Sequence, residues 1–209
     1  VSEALQLSAN GKAPGLDGIP FEVWKSLESR YETDLGAEIP SFNVILALAY
    51  LFNDIEQHGK LPGSSFAESW MCPLYKKGER AEIANYRPIS LLNTDYKIFT
   101  KALTIKLSKV VTELVHPDQA GFIPGRNIYD HIWLSKRVIE IAEEDAQNGV
   151  IIALDQEKAY DRIEHEYLWR TLRTFNLPER FINTVKSLYE DAHTYVMING
   201  MMSNQPFKQ

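Results

Sequence analysis

A single cysteine, Cys72, stands among the 209 residues, which excludes an internal disulfide and fits a reducing compartment. No apolar stretch reaches the roughly 18 residues that a membrane-spanning helix needs, so no such helix is expected in this sequence and no membrane partner. The first residues lack a basic-then-apolar leader pattern, and the chain is expected to be intracellular rather than secreted. The histidines show no ligand spacing, which gives no support for a zinc site. An excess of positive charge is also missing: the formal net charge is −6, which taken alone speaks against a polyanionic partner.

What is present points to a folded body. Hydrophobic residues make up 44% and aromatics 11%, enough for one sizeable core or two small ones and too much for a disordered chain. The charge is unevenly spread. Residues 60–110 hold nine Lys and Arg (among them Lys76, Lys77, Arg80 and Arg87) against four acids. That window is a local basic surface on an acidic chain, or simply a solvated helix face.

Helical and strand signals alternate without internal repeats. Pro20 opens a helix expected through about Arg30, and SFNVILALAYLFNDIEQ gives an apolar-periodic helix stopping near Gly59. ESWMCPLYKK reads as a strand, and NYRPISLL begins extended because the residue before Pro88 is pushed out of the helical region. Asn93 or Thr94 caps the next helix, on which Leu103, Leu107, Val110, Val111 and Leu114 recur at helical spacing. HPDQAGFIPGRN is a loop. Ile128, Ile132, Ile139 and Ala142 then mark a helix ending before Gly149. Two further helices lie around EHEYLWRTLRTF and PERFINTVKSLYE. HTYVMI looks like a strand entering an Asn-Gly turn. The order is α+β, helix-rich with a few central strands. The chain starts at Val1, and the strand after that turn barely begins before Gln209, so a piece of a longer protein is expected.

One stretch demands a chemical explanation. In VIIALDQEKAYDRI (150–163), five apolar residues run into a carboxylate. Val150 to Leu154 reads as a central strand covered on both faces, with Asp155 at its end. A carboxylate emerging from a core is costly unless paired or metal-bound, so Asp155 is a metal ligand, a helix cap or an ion-pair partner. Asp161 has the capping spacing, with Glu164 three residues on. Tyr160 is core filler, or a flat ring near a sugar if the strand end holds a nucleotide. A Mg²⁺-dependent hydrolase using Asp155, Glu157 and Asp161 needs the strand to continue through KAYD, where a turn is expected instead.

Four blocks carry a resemblance. GKAPGLDGIPFEVWK (11–25), PLYKKGERAEIANYRPISLLNTDYKIFTKAL (73–103), HPDQAGFIPGRNIYDHI (116–132) and LDQEKAYDRI (154–163) follow one another as in non-LTR retrotransposon (LINE-type) reverse transcriptases. The resemblance implies a right-handed polymerase fold, here its fingers and part of its palm. It divides the chain into an N-terminal extension to the fingers (1–58), fingers (59–130) and an incomplete palm with the first catalytic motif (131–209). The activity implied is that of an RNA-directed DNA polymerase. It would add deoxynucleoside triphosphates to a DNA primer on an RNA template, with two Mg²⁺ ions in the complete enzyme. A nuclear or cytoplasmic ribonucleoprotein is the implied setting.

The resemblance also implies roles. Asp155 matches the first catalytic aspartate and metal ligand, and Gln156 lends its backbone carbonyl to the nucleotide-side metal. Tyr160 matches the aromatic gate against a ribose 2′-hydroxyl, where the family more often shows Phe. Lys76 and Arg87 match the residues that hold the incoming triphosphate, although Lys77 is adjacent and Tyr75 stands where the family usually has Pro. Gln119, Gly121, Arg126 and Asn127 are expected to touch the template, or to form an ordinary turn, and Lys12 is expected on a template-side lid. The family completes its site with two adjacent aspartates, which occur nowhere in these 209 residues. The chain alone is therefore expected to be silent in catalysis. A non-catalytic nucleic-acid-binding module descended from a polymerase is the alternative.

Overall fold

Helix ends are written by caps. Asn43 Oδ1 accepts from the Leu46 N–H at 2.8 Å and starts α3 (Val44–His58). Gly59, at φ +81°, closes that helix in a conformation that side chains resist. Before it come α1 (Ser2–Gln6), too short to show a period in the sequence, and α2 (Phe21–Gly36), which outruns the expected end at Arg30. The computed structural model describes residues 1–145 and 148–208. They form two compact units, Val1–Leu103 with Asn176–Gln209, and Thr104–Phe175.

The first unit is built around a sheet. Strand β1 (Glu68–Tyr75) is flanked antiparallel by β2 (Tyr86–Leu92) and parallel by β3 (His193–Ile198). β3 in turn pairs with β4 (Met201–Met202) and β5 (Phe207–Lys208). The expected Asn199-Gly200 turn joins β3 to β4, with φ +52° and +79° at its two central residues, as a primed hairpin turn requires. Pro73 faces Pro88 across the β1–β2 pair, where the β3 partner, which ends at Met71, no longer needs a donor.

Helix α3 packs on α8 (Glu179–Tyr189), and α4 (Thr94–Ser108) buries Ile98, Phe99 and Leu103. Phe52 of α3 stacks on Phe99 with ring centroids 4.8 Å apart, a contact worth about 0.5–1.5 kcal/mol beyond its buried area. Between β1 and β3 the buried hydroxyls of Ser69 and Thr194 satisfy each other at 2.7 Å. A buried polar pair of this kind costs little while both partners are present.

The second unit holds the end of α4, α5 (Val111–Leu114), α6 (Ile128–Glu144) and α7 (His165–Thr174). The helix expected to continue from α4 through Leu114 breaks at Ser108, ahead of the consecutive β-branched Val110 and Val111. Residues 146 and 147, at the end of the helix expected before Gly149, lie outside the described residues. The clearest departure is at 150–154, which is not a strand. Val150 is 86% and Leu154 92% exposed. An apolar run becomes a strand only when neighbours take its N–H and C=O groups, and every described strand belongs to the other unit. Among the described residues, no helix is long and apolar enough to cross a membrane.

Candidate functional site

The β1–β2 hairpin carries the first group of candidates. Its register sets Leu74 opposite Arg87 and Tyr75 opposite Tyr86, and the Lys76 N–H donates to the Asn85 carbonyl at 2.9 Å, one step further along the same ladder. Alternation therefore puts Lys76 and Arg87 on one face as diagonal neighbours, within reach of long side chains. Lys77 falls outside the ladder, in a bend. Lys76 and Arg87 are both exposed, and neither side chain makes a hydrogen bond or ion pair with another of the described residues.

Lys12 lies exposed on a loop that is latched to the start of α4. Asn93 Oδ1 accepts from the Asp17 N–H at 3.2 Å, and Thr94 Oγ1 donates to the Ile19 carbonyl at 2.7 Å while accepting from Trp24 Nε1 at 2.7 Å. Lys97 Nζ reaches the Ala13 carbonyl at 2.9 Å. Gly15 lies so close to Asn93 that a Cβ there would sit 2.2 Å from Asn93 Oδ1 and 2.3 Å from Asn93 N. Asn93 and Thr94, read from the sequence as alternative capping residues, are buried in this latch.

Asp17, Asn93 and Asp95 also line a cleft of about 320 Å³ with Asp54, Lys60 and Ser64. Burial pushes the Asp95 carboxyl up, and Asp17 adds to the shift, against the lowering effect of the Tyr96 N–H. Burial likewise raises the Tyr96 hydroxyl to about 12 and lowers Lys97. No sequence signal distinguishes Asp95 from an ordinary first-turn acid.

In the second unit, the 115–127 loop between α5 and α6 carries Gln119, Gly121, Arg126 and Asn127. Arg126 Nη1 donates to the carbonyls of His116 (2.5 Å) and Gln119 (2.9 Å), and Nη2 to those of Thr112 and Val115 (2.9 Å each). The cation thus closes the C-terminal end of α5, where carbonyls lack partners and the dipole favours positive charge. Its terminal nitrogens serve the loop, which leaves Nε as the group not engaged in this way. Asn127 caps α6, its Oδ1 accepting from the Tyr129 N–H at 3.1 Å. Gln119 is exposed, and nothing lies within 4 Å of where a Gly121 side chain would begin. Phe122, passed over in the sequence, stands beside it 93% exposed at φ +63°. A bulky residue in that conformation, with its ring in solvent, is worth a functional explanation.

Asp155, Gln156 and Tyr160 follow on the exposed 150–162 segment, Tyr160 being 80% exposed. Residues 157–162 form a turn closed by the Arg162 N–H on the Lys158 carbonyl, with Arg162 Nη2 on Glu157 Oε2 at 2.6 Å. The shared face needed by a hydrolase of Asp155, Glu157 and Asp161 is lost at that turn. Asp161 is not a helix cap either: α7 begins at His165 with Glu164 in the cap position and no side-chain hydrogen bond there. The turn ends three residues short of the helix, so the capping spacing is not used. Among the described residues, no three His, Cys, Asp or Glu side chains converge as a metal site would require. The Asp155 carboxylate and the Gln156 carbonyl are oxygen donors of the kind a hard cation takes, and two donors are fewer than such an ion needs. Lys76 and Arg87 lie in the first unit and Asp155, Gln156 and Tyr160 in the second.

Comparison with known proteins bears on these groups. A family model described as reverse transcriptase (RNA-dependent DNA polymerase) matches residues 74–209. Over 97% of its length the chain is 37% identical to the transposon TX1 uncharacterized 149 kDa protein of Xenopus laevis, covering 14% of that protein. It is 26% identical over 97% of its length to a probable RNA-directed DNA polymerase from transposon BS of Drosophila melanogaster, covering 21% of it. Similarity also extends to the retrovirus-related Pol polyprotein from type-2 retrotransposable element R2DM of the same fly, at 25% identity over 92% of the chain and 16% of that polyprotein. The chain thus spans between about a seventh and a fifth of these relatives.

Proposed function

Since the chain belongs to the reverse transcriptase (RNA-dependent DNA polymerase) family, of the non-LTR retrotransposon type, we propose that it is the nucleotide- and template-engaging part of a polymerase that copies RNA into DNA. The observation that carries this reading is the β1–β2 register, in which two exposed cations, without a partner among the described residues, share a face. A triphosphate carries several negative charges in a row. Lys76 offers it a compact ammonium and Arg87 a planar fork that bonds two oxygens at once.

Asp155 and the Gln156 carbonyl are the donors this chain contributes to Mg²⁺, which when bound neutralises charge on the phosphates. Tyr160, five residues on, is the ring that lies under the sugar and excludes a 2′-hydroxyl. The 115–127 loop meets the template through Gln119, the open backbone at Gly121 and the Phe122 ring, with Arg126 and Asn127 setting its shape and facing the same strand. Lys12, exposed on the latched lid of the first unit, is proposed as a further template contact. The 209 residues alone, with one carboxylate of the metal set, are proposed not to polymerise. RNA template, DNA primer and deoxynucleoside triphosphates are the partners.

Steady-state primer extension by the full-length protein tests the reading. Arg87→Ala is expected to raise the KM for deoxynucleotide by on the order of tenfold or more, the loss of a charge-assisted hydrogen bond, with primer-template affinity little changed. Equal losses in both would contradict it.

A further inference from the structure

The tip of the β1–β2 hairpin, residues 76–85, has almost nothing beneath it. Residues 76–84 are exposed, and Ile83, the only large apolar side chain among them, points into solvent. A ten-residue excursion of this kind would ordinarily keep much conformational freedom, because no core rewards its ordering. Here backbone bonds such as Glu82 N–H to the Glu79 carbonyl are joined by side chains at its base, two of them tyrosines.

Tyr75 and Tyr86 face each other in the register, on the side opposite Lys76 and Arg87, with ring centroids 5.6 Å apart and nearly edge to face. Each sends its hydroxyl into the tip. Tyr75 Oη donates to the Gly78 carbonyl at 2.6 Å, and Tyr86 Oη to the Arg80 carbonyl at 2.9 Å. The Arg80 guanidinium folds back over the Tyr75 ring, 4.6 Å from its centroid. Asn85 Nδ2 donates to the Glu79 carbonyl at 2.9 Å. Gly78, at φ +88°, makes room for that amide, since a Cβ there would lie 2.7 Å from Asn85 Nδ2. Three successive carbonyls, those of Gly78, Glu79 and Arg80, are thus held from the hairpin base.

We infer that Tyr75 and Tyr86 are positioning residues, which hold the hairpin tip so that Lys76 and Arg87 stand ready on the other face before nucleotide arrives. The inference rests on the reading that this hairpin grips the triphosphate. A tip that is already ordered spares the entropy of ordering it at each binding event, so its loss falls on nucleotide binding rather than on the chemical step. Tyr75 is central because it supplies the hydroxyl, half of the ring pair and the seat for Arg80. Phosphate itself never touches it.

The test uses the full-length protein in primer extension on an RNA template, with Tyr75→Phe, Tyr75→Leu and Arg87→Ala compared with the parent. Tyr75→Leu is expected to raise the KM for deoxynucleotide about tenfold while kcat and RNA affinity stay within about twofold. Tyr75→Phe, which keeps the ring and loses the bond to Gly78, is expected to fall between Tyr75→Leu and the parent. If Arg87→Ala raises KM and neither Tyr75 variant does, the positioning role is overturned and the triphosphate reading stands. If Arg87→Ala leaves KM unchanged, the triphosphate reading fails and the inference with it. Trypsin provides a readout independent of activity, since Lys76, Lys77 and Arg80 lie in the tip. Cleavage there is expected to be faster in Tyr75→Leu than in the parent, and an unchanged rate overturns the inference.

Discussion

At the scale of single residues, the close approach of Gly15 to Asn93 makes the most direct demand. Alanine there would place a methyl group 2.2–2.5 Å from Asn93 Oδ1, Asn93 N and the Leu92 carbonyl carbon, two of them backbone atoms unable to swing aside. Gly15→Ala is expected to destabilise the chain by about 1–3 kcal/mol, the usual range for overpacking, measured as a shift of the urea midpoint. Asp95 makes the opposite demand. Burial, its largest perturbation, raises its folded-state pKa. Its contribution to stability is then full below the unfolded carboxylate value, near 3.9, and is lost as pH rises through the folded one. Asp95→Asn should therefore stabilise the chain at pH 7 and have progressively less effect toward pH 3. Urea unfolding at the two pH values checks this, and a benefit that grows on acidification would show the sign to be wrong.

At the scale of elements, the 115–127 loop is a structure in its own right, tied by one guanidinium to four carbonyls, one of them in α5. It presents Phe122, and stacking of a ring on an unpaired base is worth about 1–3 kcal/mol. Phe122→Ala in the full-length protein should weaken single-stranded RNA binding by on the order of tenfold, read by fluorescence anisotropy, with the salt dependence unchanged because no charge is lost. Legibility in the sequence follows the range of the interactions. β1, β2, α3 and the Asn199-Gly200 turn were readable because period, caps and turn residues are local signals. The latch on Asn93 and Thr94 was not, since its partners lie more than 70 positions apart. Residues 150–154 misled for the same reason in reverse: their pattern is that of a buried strand, but a strand needs neighbours that no local pattern supplies. The four carbonyl partners of Arg126 were not legible either, because a Gly/Pro loop shows no such partners until it is closed. The family resemblance gave the identities of the candidate residues, while only the register separated Lys76 from Lys77.

At the scale of the whole molecule, the chain corresponds to between about a seventh and a fifth of its relatives, so its chemistry has to be judged in the full-length protein. Its two units carry different duties in the proposed reaction, the hairpin for the triphosphate and the 150–162 segment for the metal and the sugar. Tyr160→Ala should admit ribonucleotides to the growing strand, and unchanged sugar discrimination would remove Tyr160 from the site. The proposed polymerase centre depends on Asp155. Its most direct test is Mg²⁺-dependent primer extension on an RNA template by the full-length protein and by Asp155→Ala, with RNA affinity measured in parallel. The expected result is incorporation by the parent and a loss of about a thousandfold or more in the variant, with RNA binding intact. A parent that binds RNA in a strongly salt-dependent way yet incorporates nothing, or a variant that extends at nearly the parent rate, would contradict it.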